Sequence, residues 1–127
     1  MSSSPPTSPG AASGCSIQAG PVRISRADPR SPLAIIAGPC VFESLEMGLT
    51  VARRCQDACG KLGLAYIFKA SFDKANRTSI DSARGPGLER AMDWFLRVRE
   101  ALGPACALTT DIHEPHQAEP VARVVDI

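Results

Sequence analysis

With 127 residues, 44% of them hydrophobic, and a formal charge of +1, the chain has the length and apolar content of one globular domain and no broad basic field. Nucleic acid or acidic membrane held across the whole surface is thereby excluded, and no run reaches the roughly 18 apolar residues needed to span a bilayer. Five cysteines, at positions 15, 40, 55, 59 and 106, form no framework spacing, so reduced thiols in a soluble, cytoplasmic protein are expected.

Met1 to about Ser16 is mostly Ser, Pro, Ala and Gly, whose burial would not offset their ordering entropy, so this stretch reads as a disordered tail. It has neither the positive start nor the apolar segment of a secretory signal. Residues 17–32 read as an N-terminal hairpin and linker, made by Ile17 to Ile24 with the turn-forming Ala27-Asp-Pro-Arg30 and suited to plug the amino-terminal end of a barrel.

From Leu33 the pattern alternates. Leu33 to Phe42 is a continuous apolar run of strand length, as in a strand buried on both faces. Ser44 then caps a helix whose apolar positions Leu45, Leu49, Ala52, Cys55, Cys59 and Leu62 keep helical spacing, with Gly60 and Gly63 near its end. Cys55 and Cys59 stand four apart, but no nearby His or second Cys pair completes a metal site, so both read as small buried hydrophobes.

Ala65 to Ser71 is the second strand. Gly87 to about Leu102 is a second helix, with Leu88, Ala91, Met92, Phe95, Val98 and Leu102 on one stripe and Gly103-Pro104 as its stop. Ala105 to Asp111 is a third strand, Pro115 to Val121 a short helix, and Val124 to Ile127 the start of a fourth strand. Strands alternating with helices imply right-handed βαβ units and a parallel sheet. Because a (β/α)8 barrel takes about 250 residues, residues 33–127 read as its first half; an open flavodoxin-like sheet is the alternative.

In a parallel sheet the carboxyl ends of the strands converge on one rim, where α/β folds place their chemistry. The three ends are Gly38 to Ser44, Lys69 to Ser79, and Thr109 to Glu114. Lys69 and Lys74 supply point charges for phosphate or carboxylate, Arg77 a planar fork, and Asn76, Thr78 and Ser79 groups that hydrogen-bond hydroxyls. A solvated loop with ordinary surface lysines is the bland reading. Lys69 resists it, since a strand buried on both faces would leave its ammonium in need of a partner. A desolvated Lys69 could also form a Schiff base.

Arg84-Gly-Pro-Gly87 reads either as a turn whose backbone amides approach an anion or as a plain helix start. Cys40 suits a thiolate ligand, a nucleophile or a core residue, and of the three the core residue is preferred. Asp111 and His113, two apart, point the same way in an extended segment and suit a base with its orienting carboxylate or a metal. Alternatively, Asp111 caps a helix and His113 lies on the surface. His116 reads as solvent-facing.

Taken together, Ile36-Ala-Gly-Pro-Cys-Val-Phe-Glu-Ser44, Phe68-Lys-Ala-Ser-Phe-Asp-Lys-Ala-Asn-Arg-Thr-Ser79, Arg84-Gly-Pro-Gly-Leu-Glu89, Thr110-Asp-Ile-His-Glu-Pro115 and Pro120-Val-Ala-Arg-Val-Val-Asp126 resemble the 3-deoxy-D-manno-octulosonate 8-phosphate synthase family. Related 3-deoxy-D-arabino-heptulosonate 7-phosphate synthases resemble it in fold but carry a different segment in place of Lys-Ala-Asn-Arg. The resemblance implies a (β/α)8 barrel that condenses phosphoenolpyruvate with D-arabinose 5-phosphate and water and releases phosphate, toward the lipopolysaccharide sugar Kdo of Gram-negative bacteria.

By the same resemblance Lys69 and Lys74 would hold phosphoenolpyruvate, and Asn76, Arg77 and Thr78 would hold arabinose 5-phosphate. Ser71 and Arg84 join the substrate-binding set, and Asp111 and His113 would sit near the reacting carbons. Cys, rather than Asn, at position 40 resembles the metal-dependent members, which reverses the preference for a core thiol. The His, Glu and Asp completing that divalent metal site would lie past Ile127. Thr78 stands where Ser is frequent and keeps the hydroxyl, and Ala83 replaces a frequent aromatic. A homotetramer is implied for the full-length enzyme. Half a barrel would expose a strand edge, so the 127-residue chain alone is expected to be unstable or inactive. A Schiff-base aldolase using Lys69, or a truncated product without activity, are the competing readings.

Overall fold

In a computed structural model, residues 15–26, 28, 30–74 and 85–127 are described. Two short strands, β1 (Ser16–Ala19) and β2 (Val22–Ser25), form an antiparallel hairpin with Ala19 opposite Val22. Its turn is Gly20-Pro21; Ala27 and Pro29 of the expected turn lie outside the described residues. Gly20 takes φ 54°, in the left-handed region that a two-residue hairpin needs at its first central position. Ser16, placed in the tail by composition, opens β1, and the Cys15 carbonyl accepts the Arg26 N–H at 3.1 Å. Most of the proposed tail, residues 1–14, lies outside the described residues.

Three strands, β3 (Ala34–Ala37), β4 (Ala65–Lys69) and β5 (Ala107–Thr109), make a parallel sheet in the order β3-β4-β5. Each strand lies beside its predecessor, as barrel progression requires. A flavodoxin-like order would put the first strand between the second and third, and the observed order differs from it. Helices α1 (Leu45–Lys61) and α2 (Leu88–Leu102) connect the strands and pack against each other and the sheet. The chain is therefore α/β, with its parallel sheet built from successive β/α units.

The apolar stripes explain the packing. Ala52 and Cys59 from α1 meet Ala91, Met92, Phe95, Val98 and Leu102 from α2 over Tyr66, Phe68 and Leu108 of the sheet. At the centre, Phe42, Phe68 and Phe95 lie edge to face, with ring centroids 5.3–5.9 Å apart, a favoured aromatic arrangement. Ser44 caps α1 as expected, its Oγ accepting the Met47 N–H at 3.1 Å. Leu62, placed on the apolar stripe by spacing, is instead exposed at the helix end.

On the sheet's other face Ala19 and Val22 of the hairpin bury Ile67 and Ala107. The described residues cover only the amino-terminal part of that face. Ile36 on β3 is exposed, and so is Lys69 at the end of β4. The expectation of a strand buried on both faces along its length therefore fails at Lys69, because alternation directs it to the open part of this face.

Several elements are shorter than their apolar runs. β3 ends at Ala37 because Gly38 passes against β4, where an added Cβ would stand 1.9 Å from the Lys69 carbonyl oxygen, and Pro39 has no N–H to donate. Pairing resumes at the Val41–Ser71 bridge, with the Phe42 N–H donating to the Ser71 carbonyl at 2.9 Å. After a 3-10 turn at Pro115–Gln117 and helix α3 (Ala118–Ala122), the expected fourth strand is not a regular strand. It nevertheless lies along β5: the Asp126 N–H donates to the Leu108 carbonyl, and the Thr109 hydroxyl to the Ile127 carbonyl. Arg99 of α2 fastens this segment through the Val124 carbonyl at 2.8 Å and the Asp126 carboxylate at 3.0 Å.

Candidate functional site

The register that opposes Lys69 to Thr109 brings the ends of β4 and β5 together. Ser71 and Asp111, each two residues farther along, meet side by side. The Ser71 hydroxyl donates to Asp111 Oδ1 at 2.5 Å and accepts from Lys74 Nζ at 2.7 Å. One residue over, Thr110 turns the opposite way and donates to the Ala70 carbonyl at 2.8 Å, which holds the strand end in register.

His113 completes the group. Its Nε2 lies 2.9 Å from the Asp73 carbonyl and 3.7 Å from Asp111 Oδ2, and its ring rests beside that of Phe72. A carbonyl oxygen only accepts, so Nε2 carries a proton and the neutral ring keeps its lone pair on Nδ1. Asp111 is not a helix cap; that position belongs to Glu114, while the Gln117 side chain accepts the N–H groups of His113 and Glu114. His116 is exposed, as expected.

The carboxyl of Asp111 is partly buried. Burial alone would raise its proton affinity, but the Ser71 hydroxyl, its own backbone N–H and the charges of Lys69 and Lys74 outweigh that and hold it below the usual aspartate value. The arrangement presents two cations, an ionised carboxylate and an imidazole on one rim. It can gather an anion and move a proton next to it.

Cys40 lies on the same rim, exposed and unoxidised, with its carbonyl accepting the Ser71 N–H at 3.4 Å. Its thiol is a soft donor suited to a transition metal. Among the described residues no group of three His, Cys, Asp or Glu side chains could hold a metal. Asn76, Arg77, Thr78, Ser79 and Arg84 lie outside the described residues. The Gly87 N–H, read as a candidate anion donor, instead donates to the Phe72 carbonyl at 3.1 Å.

The supports are not evident from the chain alone: Thr110, the Asp73 carbonyl, and Tyr66, whose hydroxyl donates to the Ala37 carbonyl at 3.0 Å. Burial pushes this phenol far above its ordinary range, helped by the neighbouring Cys55. Alternation in Thr109-Thr-Asp-Ile was the available signal for Thr110. A cleft of about 520 Å³ at the opposite end of the sheet, between the hairpin and Tyr66, holds none of these rim residues. No helix among the described residues is long and apolar enough to cross a membrane.

Residues 22–127 match the family described as DAHP synthetase I family. Curated proteins named 2-dehydro-3-deoxyphosphooctonate aldolase are similar over most of the chain. The one from Azotobacter vinelandii is 52% identical over 96 residues, covering 76% of this chain and 34% of the relative. That from Nitratidesulfovibrio vulgaris strain DP4 is 50% identical over 93 residues, 73% and 33% of the two chains. That from Shewanella amazonensis is 43% identical over 111 residues, 87% and 38%. The chain thus spans about a third of the length of the curated relatives it matches.

Proposed function

The chain belongs to the DAHP synthetase I family, and on that premise we propose that it carries the substrate-gathering rim of a synthase that condenses phosphoenolpyruvate with D-arabinose 5-phosphate and water, yielding 3-deoxy-D-manno-octulosonate 8-phosphate and phosphate. The observation that carries this reading is the convergence of Lys74, Ser71, Asp111 and His113 at the carboxyl ends of β4 and β5, beside Lys69. Two anionic substrates repel each other, and a pair of ammonium groups on a rigid rim lowers that cost while orienting them. The names of the relatives point to the same product class.

In this reading the three parallel strands are the first of an eight-stranded barrel, and the exposed part of the sheet face around Ile36 and Lys69 is the wall of its interior. Lys69 and Lys74 bind phosphoenolpyruvate, with Asn76, Arg77 and Thr78 on the sugar phosphate and Arg84 among the substrate-binding residues. Asp111 and His113 manage protons at the bond being made: Asp111 enters ionised, and His113 offers Nδ1 as an acceptor. Cys40 would hold a divalent metal together with ligands from elsewhere in the enzyme, and the metal would supply Lewis acidity. The enzyme would be a cytoplasmic homo-oligomer acting in the supply of Kdo for lipopolysaccharide. A Schiff base at Lys69 is less well supported, because its exposure withholds the desolvation such an amine relies on.

The test is a chimera in which this chain replaces the matching third of the Azotobacter vinelandii relative. Phosphate release that requires both phosphoenolpyruvate and arabinose 5-phosphate is expected. A folded chimera that releases phosphate only with a different aldose phosphate, or is trapped on Lys69 by borohydride, would sink the assignment.

A further inference from the structure

Ser71 is fully buried, yet its side chain makes two polar contacts. A hydroxyl has one proton, and here that proton lies on Asp111 Oδ1 at 2.5 Å while an oxygen lone pair receives Lys74 Nζ at 2.7 Å. Its backbone is committed as well, the N–H to the Cys40 carbonyl and the carbonyl to the Phe42 N–H. No donor is left for a substrate, and burial bars the approach.

We propose that Ser71 is a positioning residue rather than a substrate contact: its hydroxyl holds the Asp111 carboxylate and the Lys74 ammonium to one another, so that an anion docking on Lys74 is felt at Asp111. The proposal deepens the reading above and rests on one part of it, that Lys74 takes an anion.

The physical chain is short. Among the described residues, the groups facing Asp111 are the Ser71 hydroxyl, its own backbone N–H, the charges of Lys69 and Lys74, and His113 Nε2 at 3.7 Å. An anion on Lys74 offsets one of those charges and competes with Ser71 Oγ for its N–H bonds. Both changes weaken the stabilisation of the carboxylate. Asp111 then accepts a proton more readily when an anionic substrate is present than when the site is empty. Nothing in this step is covalent; one proton is taken from water or from a neighbouring acid.

The experiment follows the Asp111 carboxyl carbon by NMR across pH in the full 127-residue chain, with and without inorganic phosphate as the probe. Ser71→Ala is expected to raise the Asp111 midpoint by about 0.5–1 pH unit, the size of one lost hydrogen bond to the charged form. Phosphate is expected to raise the wild-type midpoint, and Lys74→Met to abolish that rise. A midpoint unmoved by Ser71→Ala overturns the proposal, and if phosphate affinity falls at the same time, Ser71 is a substrate contact after all. Should Ser71→Ala unfold, the wild type and Lys74→Met decide alone: a wild-type midpoint that ignores phosphate, or an equal rise in both, overturns it. No turnover is measured, so failure of the synthase assignment leaves these outcomes readable.

Discussion

Gly38 runs so close to Lys69 that a Cβ on it would stand 1.9 Å from the Lys69 carbonyl oxygen. That contact joins the first strand end, which carries Cys40, to the second, which carries the lysines. Gly38→Ala must push the two apart. It is expected to cost about 1–3 kcal/mol, the range for overpacking a close-packed site. Urea unfolding measures this, and an unchanged midpoint would show that the strands separate freely.

Asp111 gives a pH dependence of known sign. Its carboxyl is held below the ordinary aspartate range, so its contribution to stability is present above that range and is lost as pH falls through the lower, folded value. Asp111→Asn removes the contribution. The stability difference between wild type and Asp111→Asn, read from urea midpoints, should be constant near neutrality and close only under acid conditions. A gap that persists unchanged into strong acid would show that Asp111 makes no such contribution.

Lys74 and Lys69 are expected to bind the anion directly. Replacing either with Ala removes a charge-assisted hydrogen bond worth about 1.5–3 kcal/mol, or roughly tenfold to a hundredfold in phosphoenolpyruvate affinity by calorimetry. Lys61→Ala is the control, since that lysine sits on the exposed end of α1 paired with Asp57. Equal losses in all three would reduce the rim to general electrostatics.

The five thiols divide by burial. Cys15 and Cys40 are exposed, Cys55 is half-buried, and Cys59 and Cys106 are buried. Burial also pushes the Cys106 thiol up, leaving it protonated and unreactive. Brief alkylation at pH 8 followed by mass spectrometry should label Cys15 and Cys40 first and Cys59 and Cys106 only in denaturant. Rapid labelling of Cys106 would mean that β5 opens from α2.

How much of this was legible in the chain depends on the range of the interaction. The stripe from Leu88 to Leu102 and the Ser44 cap are local patterns, and α2 and α1 follow them. Lengths were less legible. Leu33 to Phe42 and Ala105 to Asp111 read as long strands because apolar character says a segment is buried, not that it is paired; Gly38 and Pro39 interrupt the first. Lys69 departs from the expectation because burial on the second face depends on which element covers it, and the hairpin packs on Ala34, Ala65, Ile67 and Ala107 but not on Lys69.

The sequence by itself determined the alternation of strands and helices, the rim on which the polar residues gather, and, through its motifs, the family. Those depend on spacing along the chain and on residue chemistry. Only the tertiary structure decided that Ser71 belongs to Asp111, forty residues away, that Asp73 orients His113 through its carbonyl, and that Asp111 caps no helix. Such pairings follow from strand register, and a parallel register is set by helices packing behind the sheet rather than by any residue near the pair.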